Sequence, residues 1–202
     1  METKRSSHII RSKKELTSLA SSARQEIVDV LSQMGTISVA ELAAALGRPA
    51  VAIYYHLHVL KRVGLVIHAG NRNKGKRQEE LVRTVSPDLK LDYQPGRRGN
   101  TREITAIVGA MCRLGARDFR RAFQRDDVRV VGSQRELWAL RTTGWLTREE
   151  IVKVNRYIKT LASAVSKPRG KGRLYAITVL LTPLDHRRPA SAKAILRNAR
   201  GG

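Results

Sequence analysis

Two small groups of side chains are the most chemically able in this sequence. Tyr54, Tyr55 and His58 fall within five positions, and the cations Arg72, Lys74, Lys76 and Arg77 fall within six. Phenol hydroxyls and an imidazole can hydrogen-bond to base edges, whereas guanidinium and ammonium groups neutralise phosphates. Together they suit reading and gripping a nucleic acid. Other chemistries fit less well. Residues 70–76 spell G-x-x-x-x-G-K, close to a phosphate-binding loop, but Arg77 stands where a Ser or Thr would hold magnesium. His56 and His58 are two apart and would point to different sides of a helix, so they do not form a zinc pair. No G-x-S-x-G nucleophile elbow occurs. Cys112, the one cysteine, cannot form an internal disulfide or thiolate cluster and reads as a buried, inert thiol at the edge of an apolar stripe. The cationic run 167–173, KPRGKGR, is explained by a connection between a helix and a strand. No enzymatic activity, metal or cofactor is expected.

The elements that must position the first group lie within residues 38–77. Ser38 followed three residues later by Glu41 is a capping box opening a short helix through Leu46. Gly47 can adopt positive φ at the helix end, and Pro49 suits a first helical position. In the second helix Ile53, Leu57, Leu60 and Gly64 form one stripe; Val51, Tyr55, His58 and Arg62 lie opposite, with Tyr54 on the flank. Residues 65–69 and 80–85 read as strands, and the turn between them carries the four cations. A helix–turn–helix can pack the first stripe on a core and offer the second to a DNA major groove.

The run YYHLHVLKRVGLV, preceded by SVAELAAALGRP and followed by a basic hairpin, resembles the winged helix-turn-helix of ArsR-type transcription regulators over residues 21–85. The resemblance implies a dimer whose second helix, residues 49–62, reads the major groove while the wing, residues 70–77, touches the backbone. Tyr54, Tyr55 and His58 would occupy recognition-helix positions. The expected DNA-binding set is Arg48, Ala50, Val51, Tyr54, Tyr55, His58 and Arg62, with Arg72, Lys74, Lys76 and Arg77 on the wing. The cysteine-rich motif of metal-sensing members is absent, so metal sensing is not implied. A small-molecule effector of unspecified identity is compatible with the family.

Composition agrees with a polyanionic partner. Thirty-nine Lys and Arg against seventeen Asp and Glu give a formal net charge of +22. Each cation set on a phosphate releases condensed counterions. A hydrophobic fraction of 42% is enough for a core. No apolar run approaches a membrane span or a secretory leader, so a cytoplasmic, nucleoid-associated protein is expected.

The organisation expected is a flexible basic arm over 1–19, a winged domain over 20–86, a linker over 87–100, a dimerisation or sensing domain over 101–184 and a basic tail over 185–202. A helix from Ser22 should bury Ala23, Ile27, Val30, Leu31 and Met34. A long helix from residue 101, capped by Asn100 and Glu103, should bury Ile104, Ile107, Val108, Met111, Gly115, Phe119 and Ala122, with Arg113, Arg117 and Arg120 opposite. Gly115 hints at close approach by the partner subunit, and this helix is expected to build most of the dimer. Beyond it come a strand at 128–132, a helix opened by Ser133 and Glu136, a helix opened by Thr147 and Glu150 with Ile151, Val154, Ile158 and Leu161 buried, and an apolar strand at 173–184. The fold class is mainly α with a small antiparallel sheet (α+β). The function expected is that of a sequence-specific, dimeric DNA-binding transcription regulator; the rival is an architectural or RNA-associated basic protein that grips without reading sequence.

Overall fold

The computed structural model describes residues 7–75, 77–96, 98–166 and 172–186. It is an α+β fold of helices with small sheets. Helices α2 (Ser22–Met34), α3 (Val39–Leu46) and α4 (Ala50–Arg62) pack beside an antiparallel sheet ordered β2-β4-β3, in which β2 is Ile37–Ser38, β3 Val66–Lys74 and β4 Arg77–Thr84. Ile27, Leu31, Leu42, Leu60, Leu65 and Val82 are each fully buried where these elements meet. The Ser38 hydroxyl accepts from the Glu41 N–H at 3.2 Å, and the Glu41 carboxylate accepts from the Ser38 N–H at 2.8 Å, so the expected capping box forms. Pro49 is the N-cap of α4 rather than its first residue. On α2, Ile27, Val30 and Leu31 are buried as expected, whereas Met34 is exposed.

The N-terminal segment corrects the expectation of a flexible arm. Strand β1 (Ser7–Ile10) pairs in parallel with β5 (Asp88–Leu91), and α1 (Lys13–Ser18) follows with its own capping box of Ser12 and Glu15. Ile10 and Leu16 are each only 1% exposed. The cations of this segment masked its apolar residues, and the partner strand comes from the stretch expected to be linker. Lys4 and Arg5 lie outside the described residues.

Helix α5 (Thr101–Phe123) begins where expected, but the Asn100 side chain does not cap it. Its amide donates to the Asp92 carbonyl at 2.6 Å and accepts from the Gln94 N–H at 3.0 Å, fixing the turn before the helix. The helix lies on α1 and α2 through Ile107, Ala110 and Leu114, with Ile104 and Met111 partly buried. The buried Gln25 amide donates to the carbonyls of Leu19 at 2.6 Å and Ile107 at 3.0 Å, and the Ser22 hydroxyl donates to the Ala110 carbonyl at 3.0 Å. The buried face is therefore turned from the expected one, and Cys112, expected to be buried, is exposed. Arg117 points toward α2, and Phe119 and Phe123 stay exposed with rings stacked 6.1 Å apart.

Beyond α5 one helix forms among the described residues, α6 (Arg148–Val165), opened by the expected Thr147–Glu150 capping box. None of its residues is buried, so the expected burial of Ile151, Val154, Ile158 and Leu161 does not occur within the chain. Residues 128–132 and 173–184 belong to no ladder, and no helix follows Ser133. Glu136 is diverted from capping: its carboxylate accepts from the Arg129 N–H at 2.9 Å, from Arg173 at 3.0 Å and from the Tyr175 hydroxyl. Near Gly115 the neighbour is a side chain of the same chain, since a Cβ there would meet the Thr178 hydroxyl at 3.5 Å.

Candidate nucleic-acid interface

Gly47, at φ 60°, ends α3 in the left-handed region, which costs glycine nothing and lets α4 begin three residues later. Helix α4 is then divided lengthwise. Ile53, Leu57 and Leu60 are buried in the core, while Val51 is 78%, Tyr54 56% and Tyr55 66% exposed. His58 and Arg62 share the outward side, and the Arg62 guanidinium lies 2.8 Å from His58 Nε2. A packed helix that presents two phenols, an imidazole and a guanidinium outward has hydrogen-bonding groups at the reach base edges require. His56 is half-buried with no hydrogen-bond partner at Nδ1 among the described residues; burial first, then the positive charges of Arg24 and Arg48, holds its pKa below the usual imidazole value.

Two expected members of the set are engaged elsewhere. Arg48 pairs with Glu26 on α2, so its guanidinium is turned toward the protein. Ala50 packs against the core.

The hairpin of β3 and β4 is longer than expected. The strands run to the pair Lys74–Arg77, leaving Gly75, at φ 61°, in the turn. A register shift between His68 and Asn71 bends the ribbon at Gly70. The near-phosphate-loop run is thus strand, bulge and hairpin turn, not a loop leading into a helix. Arg72 sits opposite Glu79 in the ladder and pairs with it at 2.9 Å, and with Glu41 on α3 at 2.8 Å. These hydrogen bonds, Glu79 first, hold the Arg72 guanidinium above its ordinary pKa; Arg72 in turn holds Glu79 below the usual carboxylate range. Lys74, whose nearest Glu79 oxygen is 3.7 Å away, keeps a side chain 69% exposed. Lys76 and the side chain of Arg77 lie outside the described residues. At the base of the hairpin Glu80 receives Lys61 from α4 and lies 3.1 Å from His68 Nδ1.

Sequence reasoning placed the cations but missed the acids that hold them. Glu26 is 22 positions from Arg48, and Glu41 is 31 from Arg72. Separations of that size carry no local signal.

A family model described as a helix-turn-helix domain matches residues 19–69, from the end of α1 into β3. A search of curated proteins returned no match. The matched segment contains α2, α3 and α4, and it supports a DNA-binding regulator of the helix-turn-helix type. No helix among the described residues is long and apolar enough to cross a membrane.

Proposed function

We propose that this chain is a sequence-specific transcription regulator of ArsR-like, winged helix-turn-helix type that acts as a homodimer in the cytoplasm, at the nucleoid, without a catalytic step of its own. The observation that carries the reading is the outer face of α4: Val51, Tyr54, Tyr55, His58 and Arg62 stand in solvent on a helix whose opposite face is locked into the core. With that helix in the major groove, the outward side chains meet base edges, and Lys74 on the adjoining wing, exposed and only 3.7 Å from Glu79, is within reach of a phosphate. A second copy would supply the second half-site, roughly 34–36 Å away along the duplex. The exposed Phe119–Phe123 pair of α5 supports a dimer contact on that helix. A small-molecule effector, in this reading, would shift the DNA-binding equilibrium.

Selection from a random oligonucleotide pool tests the proposal. An enriched palindrome, bound far more tightly than a scrambled duplex at physiological salt, is the expected result. Equal affinity for both would replace it with the architectural reading, which the net charge of +22 favours.

A further inference from the structure

The two ends of this chain differ sharply in what they bury. Beyond Leu114 no described residue is buried, and seventeen of the twenty-five exposed large hydrophobics lie between Val130 and Leu184. They include Trp138, Leu140, Trp145, Tyr157, Leu174 and Leu180, each more than half exposed. Isolated exposed hydrophobics are ordinary, but monomers rarely leave a contiguous apolar patch of more than a few hundred Å² in water. These seventeen expose on the order of 1,500 Å² together, against the roughly 800 Å² per partner of a standard interface.

The segment is organised, not merely apolar. Arg173 pairs with Asp127 at 2.6 Å and with Glu136 at 3.0 Å, tying the start of the C-terminal run to the segment that follows α5. From there the eleven residues 174–184 carry no charge. They include the β-branched Ile177, Thr178, Val179 and Thr182, a strand-forming composition, yet they have no ladder partner among the described residues. Backbone of that kind left without a ladder is a template for pairing with another chain. Thr178 sits over Gly115 of α5, so the uncharged run continues the surface that ends in Phe119 and Phe123.

What covers this surface follows from its area and from its strand-forming run without a ladder. Residues 1–6, 76, 97, 167–171 and 187–202 contribute three large apolar side chains, Met1, Ile195 and Leu196. Three cannot cover seventeen. A second copy brings an equal apolar area and the same unpaired runs, and a two-fold axis lets each serve as the partner of the other. We infer that residues 128–184 complete their fold only in a pair of chains, the uncharged run 174–184 and the apolar side of α6 of one copy packing against the same elements of its partner. This rests on the dimeric reading above and makes it more specific: the interface is chiefly this C-terminal unit, with α5 at its margin.

Trp138 and Trp145 are the two tryptophans of the protein, so tryptophan fluorescence reports on this unit alone. The test uses the full-length wild type, following sedimentation and tryptophan emission together over a dilution series, with acrylamide quenching at each point. The expected result is a dimer with blue-shifted, quencher-protected emission, which shifts to the red in step with dissociation. Leu180→Lys should move both transitions to higher concentration together. A dimer whose tryptophans stay solvent-like would overturn the inference while leaving the dimeric regulator intact. A monomer with blue-shifted emission unaffected by dilution would overturn it as well, showing that the chain covers its own surface. A monomer with solvent-like tryptophans on both free protein and selected duplex would remove the inference and the dimeric reading alike.

Discussion

The Arg117 guanidinium on α5 grips the Glu26 carboxylate on α2 with two hydrogen bonds, 2.6 and 3.1 Å long. Glu26 also receives Arg48, the residue just before Pro49 at the start of α4, so one carboxylate joins the long helix to the entrance of the outward-facing helix. Both side chains of the Arg117–Glu26 pair keep some solvent contact, 27% and 15%. We predict that Arg117→Ala costs about 1.5–3 kcal/mol of stability, the range for a hydrogen bond to a charged group. A double-mutant cycle of Arg117→Ala with Arg48→Ala, followed by urea denaturation, should show coupling through the shared acid. Strict additivity would mean that Glu26 serves the two cations independently.

The fate of the N-terminal segment can be measured directly. Ile10→Ala should destabilise the protein by about 2–4 kcal/mol, because it empties a site that is 1% exposed in β1. A change within roughly 0.5 kcal/mol, as for a surface position, would restore the flexible arm.

Reading and gripping should separate. Tyr54→Ala or His58→Ala is predicted to cost about 1–3 kcal/mol on the selected duplex and little on a scrambled one, provided the side chain meets a base edge. Fluorescence anisotropy on both duplexes checks this; equal losses on the two would show that α4 grips without reading.

The wing makes the complementary prediction. Since Arg72 is held by Glu41 and Glu79, and Lys74 lies near the same Glu79, the change Glu79→Gln loosens both cations. Affinity should rise on all sequences alike, and the slope of log affinity against log salt should steepen by about 0.9 for each additional phosphate that the freed cations neutralise. Lys74→Ala should flatten it. A salt series that leaves the slope unchanged in both variants would take the wing off the backbone.

Asp29 gives stability a pH dependence. Desolvation, then repulsion from Glu26 and Asp118, pushes its carboxyl up to about 6. Its folded-state pKa lies above the ordinary 3.8, so the folded protein holds this proton more tightly than the unfolded chain. Stability from this group therefore falls as pH rises through that window and stays low above it. Asp29→Asn should stabilise the protein at pH 7 to 8 and do nothing below about pH 4. Thermal melts across pH check the sign; a variant less stable at neutral pH would refute it.

Much of the helix-turn-helix was legible in the sequence because its signals are local. Ser38 and Glu41 are one helical turn apart, Gly47 takes the positive φ that ends α3, and Ile53, Leu57 and Leu60 repeat at the helical period. Those features also fixed which side of α4 faces out, placing Tyr54, Tyr55 and His58 in solvent. Tertiary structure decided the rest, for a physical reason: pairing partners and charge partners are chosen by proximity in space. The strand Ser7–Ile10 exists because Asp88–Leu91 lies beside it, and Arg72 is held because Glu41 stands across from the β3–β4 hairpin. Glu136 had the spacing of a helix cap, but Arg129, Arg173 and Tyr175 claimed its carboxylate. In each case the local pattern was real, and a group distant in sequence won the competition for it.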